Sequence, residues 1–498
     1  MHDGVHRPSF SCVLSVRSVP GSARSAPRHR EGLSSMERAN RFATVSRARA
    51  SALSPPGTPL YDTASIPTQE PRATGAIRTL GADPATAPVV LHPGDAMPTP
   101  RRVVLVLLLG ALTALGPFTI DLYLPAFPLL QRDFDTTAAA IQLTLTGTMI
   151  GFALGQLIVG PLSDKVGRRV PLLVVTALHV LASIAAALAP ELILLGVSRV
   201  VMGMGAAAGS VVAMAIVRDL FGGRRLVVML SRLALVSGVA PVVAPLIGSQ
   251  LLLVMPWRGI FVVLAVYGVV MLVASIVLVR ETLPPARRQE RGSTTVLQRY
   301  ASVFGDRVFL GVLVIGGTTF SGLFSYLSAS SFLFQETYGF DAQQYGMLFA
   351  ANSIGLVIGI QVAARLAARF GPQWVLAWST AVLILASGGI IAADQLSLGL
   401  WGTIVPLFVF MTAAGFTFPC VQVLALDRHG NAAGTAASVL GAVNSGVAGL
   451  ITPLAGWISG GAAITATTMA IVMMGCAVVG ALSLWLVVRP RTVEKLTP

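Results

Sequence analysis

The sequence predicts an all-α polytopic membrane protein whose twelve membrane-spanning helices form two parallel repeats of six. Three observations support this prediction: an apolar composition, a series of apolar stretches of membrane-spanning length, and a pattern shared by the two halves. Of the 498 residues, 54% are hydrophobic and 11% are charged, and the mean hydropathy is +0.77. Soluble proteins carry about 25% charged residues. Most of the chain is therefore expected to lie in a lipid bilayer.

The first 96 residues differ from the rest of the chain. They are rich in Ser, Pro, Ala, Arg and Gly and have no sustained apolar period. Such a segment cannot bury enough apolar surface to offset the entropy lost on ordering, so residues 1–96 are expected to form a disordered extension. The sequence from Met97 to Arg102 is typical of a short basic lead-in to a first span. This favours Met97 as the biological start and residues 1–96 as a mis-assigned upstream region.

From Val103 onward, apolar stretches alternate with short polar breaks, and each stretch has the roughly 20 residues that a helix needs to cross a bilayer. Six spans are predicted near residues 103–128, 139–162, 170–189, 192–215, 228–251 and 259–279. Six more are predicted near residues 308–331, 343–364, 372–393, 398–420, 433–456 and 463–487. The predicted domains are an N-terminal bundle (97–285), a cytoplasmic linker (286–307), a C-terminal bundle (308–490) and a cytoplasmic tail (491–498).

Of the net charge of +14, residues 1–100 contribute +4, and the remaining +10 lies almost entirely in loops on one side of the predicted bundle. Only Arg132 and Arg258 among the loop cations fall on the other side. Because cytoplasmic loops carry the excess of Lys and Arg, both termini are expected in the cytoplasm. Charge distributed in this way indicates the orientation of the chain in the membrane and not a basic patch for nucleic acid. No nucleic-acid partner is therefore expected.

Several function classes lack the residues that they need. The 3 cysteines and 6 histidines form no CxxC or HExxH pattern, and the chain has no Walker loop and no GxSxG with plausible triad partners. We therefore predict neither an enzyme nor a cofactor or metal site.

A shift of 204 residues superimposes the two halves and lays Lys165-Val-Gly-Arg168 over Arg369-Phe-Gly-Pro372. Three ionisable residues meet neutral counterparts at this offset: Asp121 with Ser325, Asp164 with Ala368, and Arg199 with Thr403. Parallel repeats of this kind enclose a central cavity in transporters. The first half is thus expected to hold the ionisable groups, and the second half to contribute shape and neutral polar groups.

A short charged loop separates the second and third predicted spans. It contains the pattern G-x-L-x-D-x-x-G-R-R, with the residues Gly160, Asp164, Gly167, Arg168 and Arg169. This pattern resembles the signature loop of the major facilitator superfamily, which joins the second and third helices. An ordinary cytoplasmic loop, basic as such loops usually are, is the alternative. Asp164 is interpreted as a gate residue because it lies far from the membrane midplane.

Asp121 is the only acidic residue that falls inside a predicted span. A charged residue in a span costs about 2.5–3.5 kcal/mol on insertion scales, so an acid in this position indicates a function, which we interpret as proton coupling. The alternative is a hydrated structural carboxylate near the outer membrane face. Pro117 and Pro125 flank Asp121 and are expected to loosen the helix.

Arg199 lies in the fourth predicted span at a depth similar to that of Asp121. A buried arginine keeps its proton and must meet an acid, a carbonyl or water, so direct or water-bridged coupling to Asp121 is expected. The run R-x-x-x-G-x-G that starts at Arg199 resembles the fourth-helix motif of the superfamily, which is linked there to proton transfer. An arginine that extends outward to the membrane surface is the alternative.

The fifth predicted span contains Gly238, Pro241, Pro245 and Gly248. Two prolines in one span break the backbone ladder locally, and glycines permit close helix contact. The run resembles the fifth-helix motif of the superfamily's antiporters, although the usual Gly-Pro opening is Ala240-Pro241 here. A kinked packing helix is the alternative.

Several short runs occur together: Asp121 to Pro128, Arg218 to Phe221, Ala240 to Pro245, Trp257-Arg258 with Phe261, and Glu281 to Leu283. The combination resembles the bicyclomycin/chloramphenicol-type (Bcr/CflA) branch of the twelve-helix drug:proton antiporters, over about residues 101–490. The resemblance implies multidrug efflux across the plasma membrane of a bacterium. The partners would be a small amphiphilic drug, protons and the bilayer, and the protein is expected to be a monomer.

A substrate cavity is predicted between the halves, lined by Tyr123, Gln142, Phe320, Phe324, Ser325, Tyr326 and Asn352. Aromatic side chains beside a few neutral polar groups suit apolar or weakly cationic ligands, whereas helix packing explains each residue equally well. Two other functions remain open. One is a proton-coupled importer of a small metabolite on the same fold. The other is a non-transporting sensor or scaffold, which would not need Asp121.

Overall fold

A computed structural model describes residues 92–94, 96–290, 303–427, 429 and 433–492 of the chain, without the side chains of residues 287, 289, 290 and 433. The predictions for residues 1–91, for most of the linker and for most of the tail therefore lie outside the described residues.

The described residues contain helices and no strands. The helices of the first half are α1 (Thr99–Asp121), α2 (Phe127–Asp133), α3 (Ala138–Val166), α4 (Arg169–Ala187), α5 (Leu192–Leu220), α6 (Gly223–Val254), α7 (Trp257–Leu278) and α8 (Pro285–Glu290). Those of the second half are α9 (Arg307–Phe332), α10 (Ala342–Phe370), α11 (Pro372–Gln395), α12 (Gly399–Asp427), α13 (Ala433–Ile451), α14 (Leu454–Ile458) and α15 (Ala466–Leu482).

Within these ranges, 12 helical segments are long and apolar enough to cross a bilayer, which confirms the predicted number. Helices α1 and α2 together make the first segment, and α13 and α14 together make the eleventh. Large apolar side chains cover the outside of the bundle; Ile193 and Val254, for example, are both 77% exposed. Exposed apolar surface on this scale fits contact with lipid chains.

Because the number of spans is even, the start of α1 and the end of the last span lie on the same face of the bundle. We call this the basic face, since it carries the loops around Arg168, Arg224 and Arg307. The other end of the bundle, which carries the loop between α2 and α3, is called the opposite face.

The two halves meet through α3 against α13 and α6 against α10. Toward the opposite face they share one apolar core, in which Tyr123 and Phe127 of the first half pack with Phe332 and Phe349 of the second. Toward the basic face each half has a separate core, one around Leu109 in the first half and the other in the second. The halves are thus joined most extensively near the opposite face.

The first span is interrupted where the sequence suggested a loosened helix. Helix α1 ends at Asp121, and a 3₁₀ turn over Leu124–Ala126 leads into α2. Pro117 lies inside α1 without breaking it, so the interruption belongs to Pro125, which lacks an N–H and disfavours helical geometry for the residue before it. Helix α6, by contrast, stays continuous across both of its prolines.

Candidate functional site

The break after Asp121 is the centre of the candidate site. Pro125 has no N–H, so the helical hydrogen bond that would reach the Asp121 carbonyl cannot form. The Asp121 side chain is 4% exposed and lies between the two halves of the bundle. None of the ion pairs between described residues includes it. A buried carboxylate without an ion pair is costly in its charged form, which makes Asp121 a suitable proton acceptor.

Arg199 is fully buried on α5 and reaches the same break. Its Nη1 donates to the Thr119 carbonyl at 2.7 Å, and its Cζ lies 3.9 Å from the centre of the Tyr123 ring. These contacts give the cation a carbonyl and an aromatic face in place of water. Its Nε and Nη2 have no hydrogen-bond partner among the described residues. Arg199 also interacts electrostatically with Asp121, so the structure places the two residues in one site without a direct ion pair.

The second half faces Asp121 with a wall of buried hydroxyls and aromatic rings. Asn352 Nδ2 donates to the Tyr326 hydroxyl at 3.1 Å, and Ser330 Oγ lies 3.1 Å from the Tyr345 hydroxyl. Both tyrosines interact electrostatically with Asp121 across the interface. The wall therefore combines the predicted Tyr326 and Asn352 with Ser330 and Tyr345, which the sequence analysis did not identify. The one available signal was that Tyr345 precedes Asn352 by seven residues, or two helical turns.

The other predicted cavity residues are divided between two places. Phe320 and Phe324 form an aromatic pair with ring centres 4.7 Å apart, on the basic-face side of the buried Ser325. Ser325 Oγ has no hydrogen-bond partner among the described residues. Gln142 lies elsewhere, because its Oε1 accepts a hydrogen bond from the backbone N–H of Gly456 at 3.2 Å. Gln142 thus joins the two halves near the opposite face.

Prolines create further hydrogen bonds between the halves. Three carbonyls whose usual helical donor is replaced by a proline four residues later accept hydrogen bonds from hydroxyls of the other half. The bonds run from Ser331 Oγ to Leu124 O (2.7 Å), from Ser353 Oγ to Pro241 O (3.5 Å) and from Thr146 Oγ1 to Gly449 O (2.7 Å), and the prolines are Pro128, Pro245 and Pro453. Each bond thus supplies a donor in place of the helical one that the proline removes.

Amide side chains complete the connection between the halves. Gln335 Nε2 donates to the Pro125 carbonyl at 3.1 Å and to Ser331 Oγ at 2.8 Å. Gln343 Nε2 donates to the Ser249 carbonyl at 2.9 Å. Together with the three hydroxyl bonds and the bond to Gln142, six hydrogen bonds between described residues link the halves. All of them lie in the part of the bundle nearer the opposite face.

The predicted fifth-helix residues contribute in different ways to the contacts around the break and between the halves. A Cβ at Gly248 would overlap the Leu122 carbonyl oxygen, so only glycine lets α6 pack against the break. Pro245 releases the Pro241 carbonyl that Ser353 binds. Gly238 has open space around it. Gly248 and the two prolines therefore connect α6 to the break and to the second half.

The predicted signature loop is organised around Arg168, whose side chain is 3% exposed. The guanidinium binds Asp164 (2.7 Å), Asp219 (2.9 Å) and Ser163 Oγ (2.8 Å), and the positive φ of Gly167 turns the chain beside it. The structure thus pairs Asp164 with Arg168 of the same loop, and Asp219 is a partner of Arg168 that the sequence analysis did not assign. Gly160 lies one turn before this cluster on α3.

Glu281 anchors the start of α4. Its carboxylate accepts hydrogen bonds from the backbone N–H groups of Arg168 (2.9 Å) and Arg169 (3.3 Å). Burial raises the pKa of Glu281, but these backbone donors, that of Leu283 and the charge of Arg288 together bring the pKa below its ordinary value. The Arg169 side chain donates to the Ile276 carbonyl at 2.9 Å. All these groups belong to the first half, so the loop, α5 and α7 form one polar cluster on the basic face.

The chain is similar in sequence to known membrane proteins. A family model described as Major Facilitator Superfamily matches residues 107–453. The uncharacterized MFS-type transporter YdgK of Bacillus subtilis is 33% identical over 393 residues, which cover 78% of this chain and 97% of that protein. The bicyclomycin resistance protein homolog of Haemophilus influenzae is 28% identical, with 76% and 95% covered.

Two further similarities agree with that family match. Multidrug resistance protein D of Escherichia coli is 28% identical over 360 residues, covering 71% of this chain and 89% of that protein. Among solved structures, a D-xylose–proton symporter has the same fold, with a TM-score of 0.63 at 15% identity and coverage of 79% of this chain and 99% of the symporter.

Proposed function

The chain belongs to the major facilitator superfamily, and on that premise we propose that it exports small amphiphilic drugs in exchange for protons. The family makes it a multi-pass membrane transporter of small molecules. One observation is the main support for proton-coupled export. A buried carboxylate, Asp121, lies at a helix break between the halves and beside the buried cation Arg199. The relatives named for bicyclomycin and multidrug resistance support drugs as the substrate class.

Asp121 is the proposed proton site. When it is ionised, its negative charge is attracted to Arg199 and favours a weakly cationic drug in the cavity. When it is protonated, both attractions disappear, while Arg199 keeps its contacts with Thr119 and Tyr123. A proton can drive transport only if it binds one conformation more tightly than the other. The position of Asp121 at the junction of the halves supplies such a difference, because its surroundings change when the halves move.

The proposed drug site lies where Asp121 faces the buried wall of the second half. Tyr326 and Asn352 supply hydrogen-bonding groups there, and Phe320 and Phe324 extend an aromatic surface toward the basic face. A mostly aromatic pocket with a few polar groups binds chemically varied apolar ligands. This composition supports several drugs rather than one metabolite.

The basic face is proposed to be the cytoplasmic face of a bacterial plasma membrane, because cytoplasmic loops carry the excess of Lys and Arg. All six hydrogen bonds between the halves lie toward the opposite face, which supports a state that is closed to the outside. Drug would enter from the cytoplasm or the inner leaflet, the halves would rock, and a proton from outside would displace it. We further propose that the two bundles over 97–285 and 308–490 act as a monomer, with residues 1–96 dispensable.

Drug efflux from proteoliposomes with an imposed pH gradient tests this proposal. Asp121→Asn keeps the shape of the side chain and removes the titration, so the variant should bind drug but not concentrate it against a gradient. Asp135→Asn is the matched control, since Asp135 is an exposed carboxylate on the opposite-face loop. Uphill pumping by Asp121→Asn that still accelerates with the pH gradient would place the proton site elsewhere. Accumulation in place of extrusion by the wild type would identify an importer.

A further inference from the structure

An apolar groove runs along the lipid-facing surface of the second half, between α10, α11 and α12. Its volume is about 700 Å³, and its lining includes Leu366, Phe370, Trp374, Trp378, Phe408 and Val409. Trp378 is 75% exposed, so the groove opens outward and not into the space between the halves. It is therefore separate from the proposed drug site.

The depth of the groove matches one leaflet of a bilayer. Along α11 its lining extends from Trp374, in the first turn at the basic face, to Val382. Val382 lies ten residues after Pro372, which is a distance of about 15 Å at 1.5 Å per residue. The hydrocarbon core of a bilayer is about 30 Å thick, so the groove reaches from the basic face to about the midplane. A lipid acyl chain from that leaflet has the length and the polarity to fill it.

The basic-face end of the groove is positively charged. Arg365 and Arg369 lie on the last turns of α10, each directly before a lining residue, and both are exposed. Neither forms an ion pair with another described residue. Like charges four residues apart on a helix repel each other, and a shared anion would relieve that repulsion. Helix α11 also begins there, and its N-terminus favours negative charge.

The first half does not repeat this arrangement. At the 204-residue offset, Val170 and Val174 occupy the positions of Trp374 and Trp378, and Pro161 occupies that of Arg365. The aromatic lining and the arginine pair thus occur together in the second half alone. Tryptophan is also the residue that favours the headgroup level of a membrane, where one end of a bound lipid would lie.

We propose that this groove binds one anionic phospholipid from the leaflet at the basic face. An acyl chain lies between α10, α11 and α12, and the lipid phosphate is bound by Arg365 and Arg369. The length of the apolar lining places the acyl chain in the leaflet at the basic face. The positive charge of the arginine pair favours an anionic headgroup. A zwitterionic phospholipid fills the groove equally well and carries the same phosphate, but its headgroup cation is repelled by the arginine pair and offsets part of the attraction.

Native mass spectrometry of the detergent-solubilised full chain, titrated with phosphatidylglycerol or phosphatidylcholine, tests the proposal. The wild type should retain one phosphatidylglycerol at least tenfold more strongly than phosphatidylcholine. The double variant Arg365→Gln/Arg369→Gln should lose that preference. The control Arg224→Gln/Arg232→Gln changes two exposed arginines of α6 on the basic-face side and should keep it.

A second pair of variants tests the acyl-chain part of the site. Val409→Trp fills the groove and should reduce phosphatidylglycerol retention at least tenfold, whereas Val405→Trp, one turn away and outside the lining, should not. Unchanged retention in the arginine double variant would overturn the proposal, and so would unchanged retention in Val409→Trp. The same holds if Val409→Trp weakens drug binding and leaves lipid retention intact, since the groove would then be a drug site.

Discussion

Replacing Ser331 with alanine should open the bundle toward the opposite face. Ser331 Oγ donates to the Leu124 carbonyl at 2.7 Å, and Pro128 removes the helical donor that this carbonyl would otherwise have. The substitution removes this bond between the halves and leaves the Leu124 carbonyl with only the Phe127 N–H of its own 3₁₀ turn. The loss of one such hydrogen bond costs about 0.5–1.5 kcal/mol. In the open state the same carbonyl reaches water and the cost disappears. The equilibrium should thus shift toward the open state by a factor of about 2–10.

Distances between spin labels at Thr136 and Ala462, on opposite-face loops of the two halves, report this shift. The long-distance population should grow in Ser331→Ala relative to the wild type. Ser387→Ala is the matched control, because its buried hydroxyl donates to the Leu383 carbonyl of its own helix at 2.8 Å. Equal distance distributions in Ser331→Ala and the wild type would show that the proline-released carbonyl does not hold the halves together.

Three further predictions concern the break and the basic face. Gly248→Val should abolish transport, measured as drug efflux, because its side chain would displace the Leu122 carbonyl; normal efflux would refute the close approach. Asp164→Asn should slow efflux severalfold while equilibrium drug affinity changes less, and a large loss of affinity would make Asp164 a ligand. Because folding lowers the pKa of Glu281 below its ordinary value of 4.5, its stabilisation is present above that pH and is lost as the pH falls through the folded-state value. Melting temperatures between pH 7 and about 3 should therefore fall less in Glu281→Gln than in the wild type, and equal slopes would contradict this.

The number of spans and the position of the break were predictable because they depend on local properties. Apolar length determines where a helix can cross the membrane, and Pro125 determines where the first one ends. The proximity of Asp121 and Arg199 was also predictable, since depth in the membrane follows from the distance along each helix. Their electrostatic contact without an ion pair was not, because it depends on side-chain directions.

Contacts between the halves could not be predicted from the sequence. Gln142 was expected in the cavity but contacts Gly456, since periodicity identifies a polar position on a helix and not the surface that it meets. Asp219 was visible only as part of a motif, and its pairing with Arg168 depends on how α5 packs against the loop. The groove likewise depends on the packing of α10, α11 and α12.

The proline-released carbonyls have a consequence for the reversibility of closure. When the halves separate, each hydroxyl can turn back to a carbonyl one turn earlier on its own helix, as serine and threonine do in helices. The abandoned carbonyl is then hydrated. Each of the three hydroxyl bonds between the halves can therefore be exchanged for an equivalent one without leaving a polar group unsatisfied. Replacing Pro245 with alanine would let the Pro241 carbonyl accept its usual helical hydrogen bond and would remove it from this exchange. The prolines therefore allow the closed state to be stabilised by hydrogen bonds that can also be broken at little cost.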